Sequence, residues 1–179
     1  MSMRVGVVGG GQLARMMIAP AVELGVEIRV LAEGEGMAAS LAATAVGDYT
    51  DVETVLAFAR EVDVVTFDHE HVPQPVLRAL AEAGVPVHPG PDALLFAQDK
   101  IAMRRRLAEL GAPQPDWAAV ADEAELRAFL QDHGGRAVVK TPRGGYDGKG
   151  VFDPSCIRSH FNHVFLVVRP VFVEGEKTP

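Results

Sequence analysis

Short apolar segments alternate with segments of helical periodicity over the first 90 residues. MRVGVV is followed by glycines and by apolar residues at helical spacing, and VEIRVL, DVVTF and VPVH supply further strand-like runs. Strands that alternate with helices form parallel sheets, because right-handed crossovers return the chain over one face. The sequence therefore predicts an α/β fold in which residues 1–93 form a doubly wound parallel sheet.

The pattern changes after residue 93, where helical segments predominate. Asp99 is placed to cap one helix, and Asp122 with Glu125 three residues later has the spacing of a capping box. RAVVK then predicts a strand that leads into a glycine-rich loop. We expect a second region over residues 94–151, followed by a tail over residues 152–179.

Composition limits the classes of function. The chain of 179 residues is 48% hydrophobic, with a net charge of −7 and one cysteine, Cys156. A general nucleic-acid binder needs a surplus of Lys and Arg, and a disulfide framework needs several cysteines. No apolar run approaches the length of a membrane span. These features predict a cytoplasmic protein that binds neither nucleic acid nor membrane.

The segment GGGQLA, residues 9–14, fits the pattern G-x-G-x-x-A between a strand and a helix. Glycines there let the backbone approach a phosphate at the helix N-terminus, and Glu33 follows the second strand where a ribose-binding acid would lie. The pattern alone is weak evidence, because any tight turn from a strand into a helix needs the same glycines. Nicotinamide binding and a purely structural or small-molecule turn both remain open.

The segment TFDHEHV, residues 66–72, follows a buried strand. Its polar residues, Asp68 to His71, are expected at the carboxyl edge of the sheet, where open α/β sheets bind ligands. Strand alternation would point Asp68 and Glu70 to one side and the two histidines to the other. Histidines on one strand rarely complete a metal site without a third group, so a polar substrate contact is favoured over a metal.

The segment VVKTPRGGYDGKGV, residues 138–151, combines glycines with cationic side chains. Lys140 ends an apolar strand, and four glycines follow within a loop that also carries Lys149. Lys100 begins a helix, where a cation is unfavourable unless an anion shares that helix end. Because no Ser or Thr follows the lysine, the loop is not a P-loop; a glycine-rich hairpin over nucleotide phosphates fits better.

These motifs resemble those of the N5-carboxyaminoimidazole ribonucleotide synthases, members of the ATP-grasp superfamily. The resemblance rests on GVVGGGQLARMM, GDYTD, TFDHEHV, QDK and, above all, VVKTPRGGYDGKG, and it covers residues 3–151 in order. It implies a Rossmann-like preATP-grasp domain followed by an incomplete ATP-grasp portion. Asp68 stands where the family usually has Glu, and His71 where it usually has Asn.

The family carboxylates 5-aminoimidazole ribonucleotide in purine biosynthesis with ATP and bicarbonate. By this resemblance Gln12 and Glu70 contact the ribonucleotide, and the glycine turn binds no NAD. No catalytic residue is assigned. The residues that the resemblance assigns to ATP are Lys100, Lys140, Gly145, Tyr146, Asp147, Gly148, Lys149, Gly150 and Val151.

Family members continue well beyond the end of this sequence, and the resemblance places their Mg²⁺ ligands there. No metal ligand is assigned within the chain, and we predict little or no turnover by it. The tail has no alanine and holds four of the eight phenylalanines. We expect it to come from a shifted reading frame or an unrelated junction; the alternative is a strand-rich insertion around HVFLVVRPVFV.

Other classes stay open. One is an NAD(P)-binding oxidoreductase, and a second is a non-catalytic binding remnant. A third is a related ATP-grasp ligase that acts on glycinamide ribonucleotide with formate. A homodimer is also possible, through the apolar face that the rest of a family member would cover.

Overall fold

The computed structural model describes residues 2–145, 149–154 and 165–168. The chain divides into two compact units, residues 1–95 and residues 96–179. The sequence predicted a boundary near residue 93. Within the described residues, no helix has both the length and the apolar character needed to cross a membrane.

Unit 1 is built on a parallel four-stranded sheet in the order β3-β2-β1-β4. The predicted α/β class is therefore confirmed, while the strand expected at VPVH is reduced to a single parallel bridge between Val65 and Val87. The strands are β1 (Arg4–Val8), β2 (Glu27–Ala32), β3 (Ala43–Val46) and β4 (Val64–Phe67). The helices are α1 (Gln12–Leu24), the 3₁₀ turn Ser40–Ala42, α2 (Val52–Ala59), α3 (Gln74–Glu82) and α4 (Pro91–Gln98), which runs past the division.

Helices cover both faces of this sheet. The neighbouring residues Val7 and Val8 are both fully buried, and successive residues of a strand point to opposite faces. Val7 packs with Ala14 of α1, whereas Val8 packs in a cluster with Phe58 of α2 and Leu77 of α3. Burial on both faces explains the nearly continuous apolar character of the central strands.

The segment GDYTD has a structural role at the start of α2. Asp51 caps this helix, with its carboxylate accepting from the Thr54 amide at 2.9 Å. Asp48 accepts from the amide and the hydroxyl of Thr50, each at 2.7 Å. Tyr49, which lies between these two acids in the sequence, packs against the core cluster of α2 and α3.

Unit 2 contains an antiparallel sheet in the order β5-β8-β6-β7. One of its two inner strands, β8, comes from the tail, and all four residues of this strand are buried. The strands are β5 (Trp117–Val120), β6 (Val138–Lys140), β7 (Val151–Phe152) and β8 (Phe165–Val168). Two helices lie wholly within the unit, α5 (Lys100–Glu109) and α6 (Glu123–Asp132).

The side chains of β8 alternate between the two faces of the sheet of unit 2, and each face packs against one of the two helices. Phe165 and Val167 belong to the same cluster as Phe129 of α6, whereas Leu166 and Val168 pack with Ile101 of α5. Each face of the strand thus buries two side chains against a different helix. The strand-rich alternative for this part of the tail is the one that the structure supports.

Both predicted helix caps are present. Asp99 accepts from the amides of Ile101 and Ala102, each at 3.0 Å, and Asp122 accepts from the Glu125 amide at 2.8 Å. In a capping box the Glu carboxylate returns to the amide of the cap residue. Here Glu125 accepts instead from the Ala121 amide, one residue earlier, at 2.7 Å.

Candidate functional sites

The first candidate site lies at the carboxyl edge of the sheet of unit 1. The glycine turn follows β1, Glu33 follows β2, and the segment from Asp68 to His71 follows β4. These three strands are neighbours and run in parallel, so their carboxyl ends meet at one edge. The sequence prediction that the polar residues of TFDHEHV lie at this edge is confirmed.

Asp68 is turned into the protein at this edge. Its side chain is buried, with 8% of the residue exposed. Oδ1 accepts from the Ala14 amide at 2.5 Å, and Oδ2 accepts from the Gly11 amide at 3.1 Å. The carboxylate therefore caps α1, where a negative charge is favoured by the helix dipole, and it is not presented to a ligand.

The Glu33 carboxylate accepts from another amide of the glycine turn, that of Gly10. Its Oε2 accepts from the Gly10 amide at 2.8 Å, and its Oε1 lies 3.1 Å from Nε2 of His69. Burial raises the pKa of Glu33, but the amides of Gly10 and of Glu33 itself, together with the His69 contact, outweigh burial, so that the pKa lies below its usual value. Glu33 thus binds the turn itself, rather than standing free for a ribose as the dinucleotide hypothesis required.

The contacts of His69 fix which ring nitrogen carries its proton. The His71 amide donates to Nδ1 of His69 at 3.2 Å, which requires an unprotonated Nδ1. The proton of the neutral ring is therefore on Nε2, which donates to Glu33. The Tyr49 ring stands edge-on to His69 at 4.8 Å between centroids, and the His71 ring lies 5.2 Å away.

The two predicted ribonucleotide contacts are at the same edge. Gln12 is the exposed first residue of α1, and Glu70 is partly buried in the segment after β4. Sequence reasoning missed Tyr49, because its only signal was a motif that also begins α2. Within the described part of the chain, no three His, Cys, Asp or Glu side chains are grouped to hold a metal ion.

The second candidate site is the base of the glycine loop in unit 2. The Lys100 ammonium Nζ donates to the Gly144 carbonyl oxygen at 2.7 Å, and the Lys100 amide donates to the Pro142 carbonyl at 2.9 Å. Nε of Arg143 lies 3.0 Å from Oδ2 of Asp99. The first turn of α5 and the start of the loop are therefore joined by three contacts.

Lys140 and Lys100 lie on the same side of the sheet of unit 2. Lys140 pairs with Leu166 of β8 and with Val151 of β7, and directly paired residues of antiparallel strands share a face. Leu166 packs with Ile101, the residue after Lys100 at the start of α5. The side chain of Lys140 makes no hydrogen bond or ion pair with another described residue.

The glycine loop closes at its base. The Thr141 amide donates to the Gly150 carbonyl at 2.9 Å, across the loop. Gly145 and Gly150 both have a φ of 74°, a left-handed conformation that favours glycine. Lys149 and Val151 are exposed, whereas Tyr146, Asp147 and Gly148 lie outside the described residues. The prediction that Gly145 to Val151 covers nucleotide phosphates stays a prediction.

Comparison with protein families assigns both units. A model described as "Ribonucleotide synthetase preATP-grasp domain" matches residues 2–98, and a model of the ATP-grasp domain matches residues 105–174. The second match includes most of the tail, whose strand β8 is an inner strand of the sheet. The expectation that the tail comes from a shifted frame or an unrelated junction is therefore wrong for residues 152–174.

Two curated relatives are similar in sequence along most of the chain. N5-carboxyaminoimidazole ribonucleotide synthase of Corynebacterium ammoniagenes is 47% identical over 153 residues, which are 84% of this chain and 37% of the relative. The protein of the same name from Pseudomonas aeruginosa is 40% identical over 177 residues, which are 97% of this chain and 48% of the relative.

A solved structure of a protein with a similar name has the same fold along most of this chain. Carboxyaminoimidazole ribonucleotide synthase from Aspergillus clavatus, complexed with ATP, superposes with a TM-score of 0.83 at 26% identity and covers 97% of this chain and 48% of that one. The chain thus spans about half the length of the proteins it matches. Because the preATP-grasp model matches more than half of its residues, the chain belongs to the family of ribonucleotide synthetase preATP-grasp domains, here continued by an ATP-grasp domain.

Proposed function

We propose that this chain serves in the ATP-dependent carboxylation of 5-aminoimidazole ribonucleotide with bicarbonate. The observation that carries the proposal is the contact of Lys100 with Gly144, which joins a cation at a helix N-terminus to a glycine loop. The names of the relatives favour this ribonucleotide over glycinamide ribonucleotide with formate. The 179-residue chain is thereby assigned the ribonucleotide and nucleotide contacts of the reaction.

The nucleotide side of the proposal is unit 2. Lys140 and Lys100 share one side of the sheet, and a lysine supplies a point charge to phosphate oxygens. Successive backbone amides of a glycine loop add further donors for an anion. We therefore place ATP against Lys100, Lys140 and the loop from Gly145 to Val151.

The ribonucleotide side of the proposal is the edge of the unit 1 sheet, where Gln12 and Glu70 stand. Asp68 is excluded as a ligand contact, because both of its oxygens accept from backbone amides of α1 and the preceding turn. His69 is engaged with Glu33. Gln12 and Glu70, which the resemblance to the N5-carboxyaminoimidazole ribonucleotide synthases gives as ribonucleotide contacts, lie at this same edge, and we assign them to the ribonucleotide.

The proposed reaction has two steps. A bicarbonate oxygen attacks the γ-phosphorus of ATP and ADP leaves, which gives carboxyphosphate. The amine nitrogen of the ribonucleotide then captures the carboxyl carbon, either directly with loss of phosphate or as carbon dioxide. Mg²⁺ usually accompanies ATP, but the described residues include no group that fits it, so no step is assigned to a metal bound by them.

The alternative of nicotinamide binding is disfavoured by the glycine turn. Its amides at Gly10 and Gly11, with that of Ala14, already donate to Glu33 and Asp68. A pyrophosphate on this turn would have to displace two carboxylates that the protein itself supplies. Such a displacement would leave both carboxylates without their amide partners, which is costly for a buried group.

The experiment that tests the proposal is calorimetric titration of the 179-residue chain with 5-aminoimidazole ribonucleotide, with NAD as the comparison ligand. We expect the ribonucleotide to bind, the Glu70→Gln variant to bind it at least about tenfold more weakly, and NAD to give no heat of binding. Glu82→Gln is the matched control, because Glu82 ends α3 at the opposite edge of the sheet. Binding of NAD without the ribonucleotide would overturn the proposal.

A further inference from the structure

The residues that hold the base of the glycine loop are Asp99 and Arg143. We propose that this ion pair is the anchor of the loop: it fixes the segment before Gly145 and thereby positions the loop for nucleotide. The inference rests on the proposed function, since it concerns how the nucleotide site is held. Both are positioning residues, since each acts through the loop.

The two oxygens of the Asp99 carboxylate accept from different groups. Oδ1 accepts from the amides of Ile101 and Ala102 and so caps α5, whereas Oδ2 accepts from Nε of Arg143. The Asp99 side chain is only 18% exposed, so its position is fixed by the helix. The oxygen offered to Arg143 therefore has a defined place relative to α5.

Arg143 links this fixed oxygen to the loop. Its side chain is 63% exposed, and an ion pair of such exposure contributes little to global stability. It does, however, join residues that are 44 positions apart in the chain, immediately before the glycines begin. An ion pair at the base of a loop that contributes little to the free energy of global unfolding has its main effect on local opening of that loop.

Three further contacts show that the stem of the loop, Thr141 to Gly144, is held as a unit. Lys100 donates to the carbonyl oxygens of Pro142 and Gly144, on both sides of Arg143. The Thr141 amide closes the loop on Gly150. The stem is therefore fixed at three successive residues, and loss of Arg143 removes the middle one while the other two remain.

Hydrogen exchange on the nucleotide-free 179-residue chain tests the anchor. In Arg143→Ala we expect exchange at the amides of Lys100 and Thr141 to accelerate about five- to tenfold, because both amides donate across the stem. Arg143→Lys, which keeps a cation, should restore part of the protection. The Met103 amide, which donates to the Asp99 carbonyl within the helix, should not change.

A matched control separates the anchor from a general effect. Arg127→Ala removes another exposed arginine ion pair of unit 2, with Glu123, and should leave exchange at the stem unchanged. The unfolding midpoint reported by Trp117 should fall less in Arg143→Ala than in Asp99→Asn, because the amides of Ile101 and Ala102 still donate to Asp99. An equal fall in the two variants would indicate a merely structural role. The dissociation constant of Mg-ATP in Arg143→Ala should rise only as far as the open stem becomes populated, because the apparent constant is the intrinsic one divided by the closed fraction.

Two results would overturn the inference. Unchanged exchange at Lys100 and Thr141 in Arg143→Ala would mean that the Asp99–Arg143 ion pair does not fix the stem of the loop. Weaker Mg-ATP binding with unchanged exchange would mean that Arg143 contacts the nucleotide directly. If the unsubstituted chain does not bind Mg-ATP, the proposed nucleotide site fails by itself, and the exchange rates alone decide whether the anchor exists.

Discussion

The carboxylate of Asp68 is packed directly against the backbone of Gly11: Oδ2 accepts from the Gly11 amide at 3.1 Å. A Cβ at position 11 would fall on that carboxylate, although the backbone conformation there, with a φ of −80°, is open to any residue. The glycine is therefore required by the close approach of an acid of the protein itself. The same glycine in a dinucleotide site would be required by a phosphate.

The first prediction concerns this close approach. Gly11→Ala should lower the free energy of unfolding by about 1–3 kcal/mol in the absence of any ligand, because the Asp68 carboxylate must shift. Urea denaturation followed by circular dichroism measures the change. Gly34→Ala is the control, since a Cβ there meets open space.

A double-mutant cycle sharpens this prediction. In Asp68→Ala the obstructing carboxylate is gone, so adding Gly11→Ala should cost less than it does in the unsubstituted chain. Additive costs of the two substitutions would contradict the close approach. Trp117, the single tryptophan, lies in unit 2, so its fluorescence shows whether an effect has spread beyond unit 1.

The second prediction concerns the proton of His69. At a pH where the ring is neutral, nitrogen NMR should show a protonated Nε2 and an unprotonated Nδ1, because Nδ1 accepts from the His71 amide. His133 is an internal comparison: its Nδ1 lies 2.7 Å from the Phe129 carbonyl oxygen and must carry the proton. The same tautomer at both histidines would contradict the contacts described here.

Glu33→Gln provides a variant for the same experiment. It keeps an oxygen for the Gly10 amide but removes the charge beside His69. We expect His69 to keep its tautomer, because the His71 amide still donates to Nδ1. A change of tautomer in this variant would show that the carboxylate of Glu33 decides where the proton lies.

The third prediction concerns acid destabilisation of unit 2. Burial raises the pKa of Asp99, but the amides of Ala102 and Ile101 and the Arg143 guanidinium outweigh it, so that the pKa lies below the usual 3.8. A carboxyl whose pKa is lowered on folding stabilises the protein above its unfolded pKa, and this contribution is lost as the pH falls through the folded value. Asp99 should therefore stabilise unit 2 at neutral pH, and this contribution should begin to decline below about pH 4.

Trp117 fluorescence in urea measures this dependence. Asp99→Asn should unfold at lower urea than the unsubstituted chain at pH 7, and the difference should shrink as the pH is lowered below about 4. Asp132→Asn, at the exposed end of α6, is the control. A difference that stays constant over the acid range would contradict the assignment to the Asp99 charge.

The features of this structure that the sequence predicted are those set by residues close together in the chain. The caps at Asp99 and Asp122 follow from residues two and three positions along, and the alternation of strands and helices follows from apolar periodicity. The position of the TFDHEHV segment followed from the rule that parallel strands end at one edge. Each of these features could be recognised without knowledge of distant contacts.

The features that sequence did not predict depend on partners far along the chain. Asp68 is turned inward by the Ala14 amide, 54 residues away, although strand alternation gave it the same side as Glu70. Strand β8 lies between β5 and β6, and its unusual composition suggested an unrelated segment. Its four consecutive buried residues instead fit a central strand covered on both faces.

The fourth prediction, and the central one, concerns ATP binding by unit 2. Lys140 ends β6 on the side that α5 covers, and a lysine that contacts phosphate makes charge-assisted hydrogen bonds. Lys140→Ala should therefore weaken Mg-ATP binding by about tenfold or more. Arg105→Ala, which removes an exposed cation from α5, should leave the affinity unchanged.

Calorimetric titration of the 179-residue chain with Mg-ATP, beside Lys140→Ala and Arg105→Ala, tests most directly whether the nucleotide binds on this side of the sheet. We expect binding by the unsubstituted chain and by Arg105→Ala, with a dissociation constant at least about tenfold higher in Lys140→Ala. Absence of binding to the unsubstituted chain, or equal affinity of all three proteins, would contradict the assignment of the nucleotide to this side of the sheet.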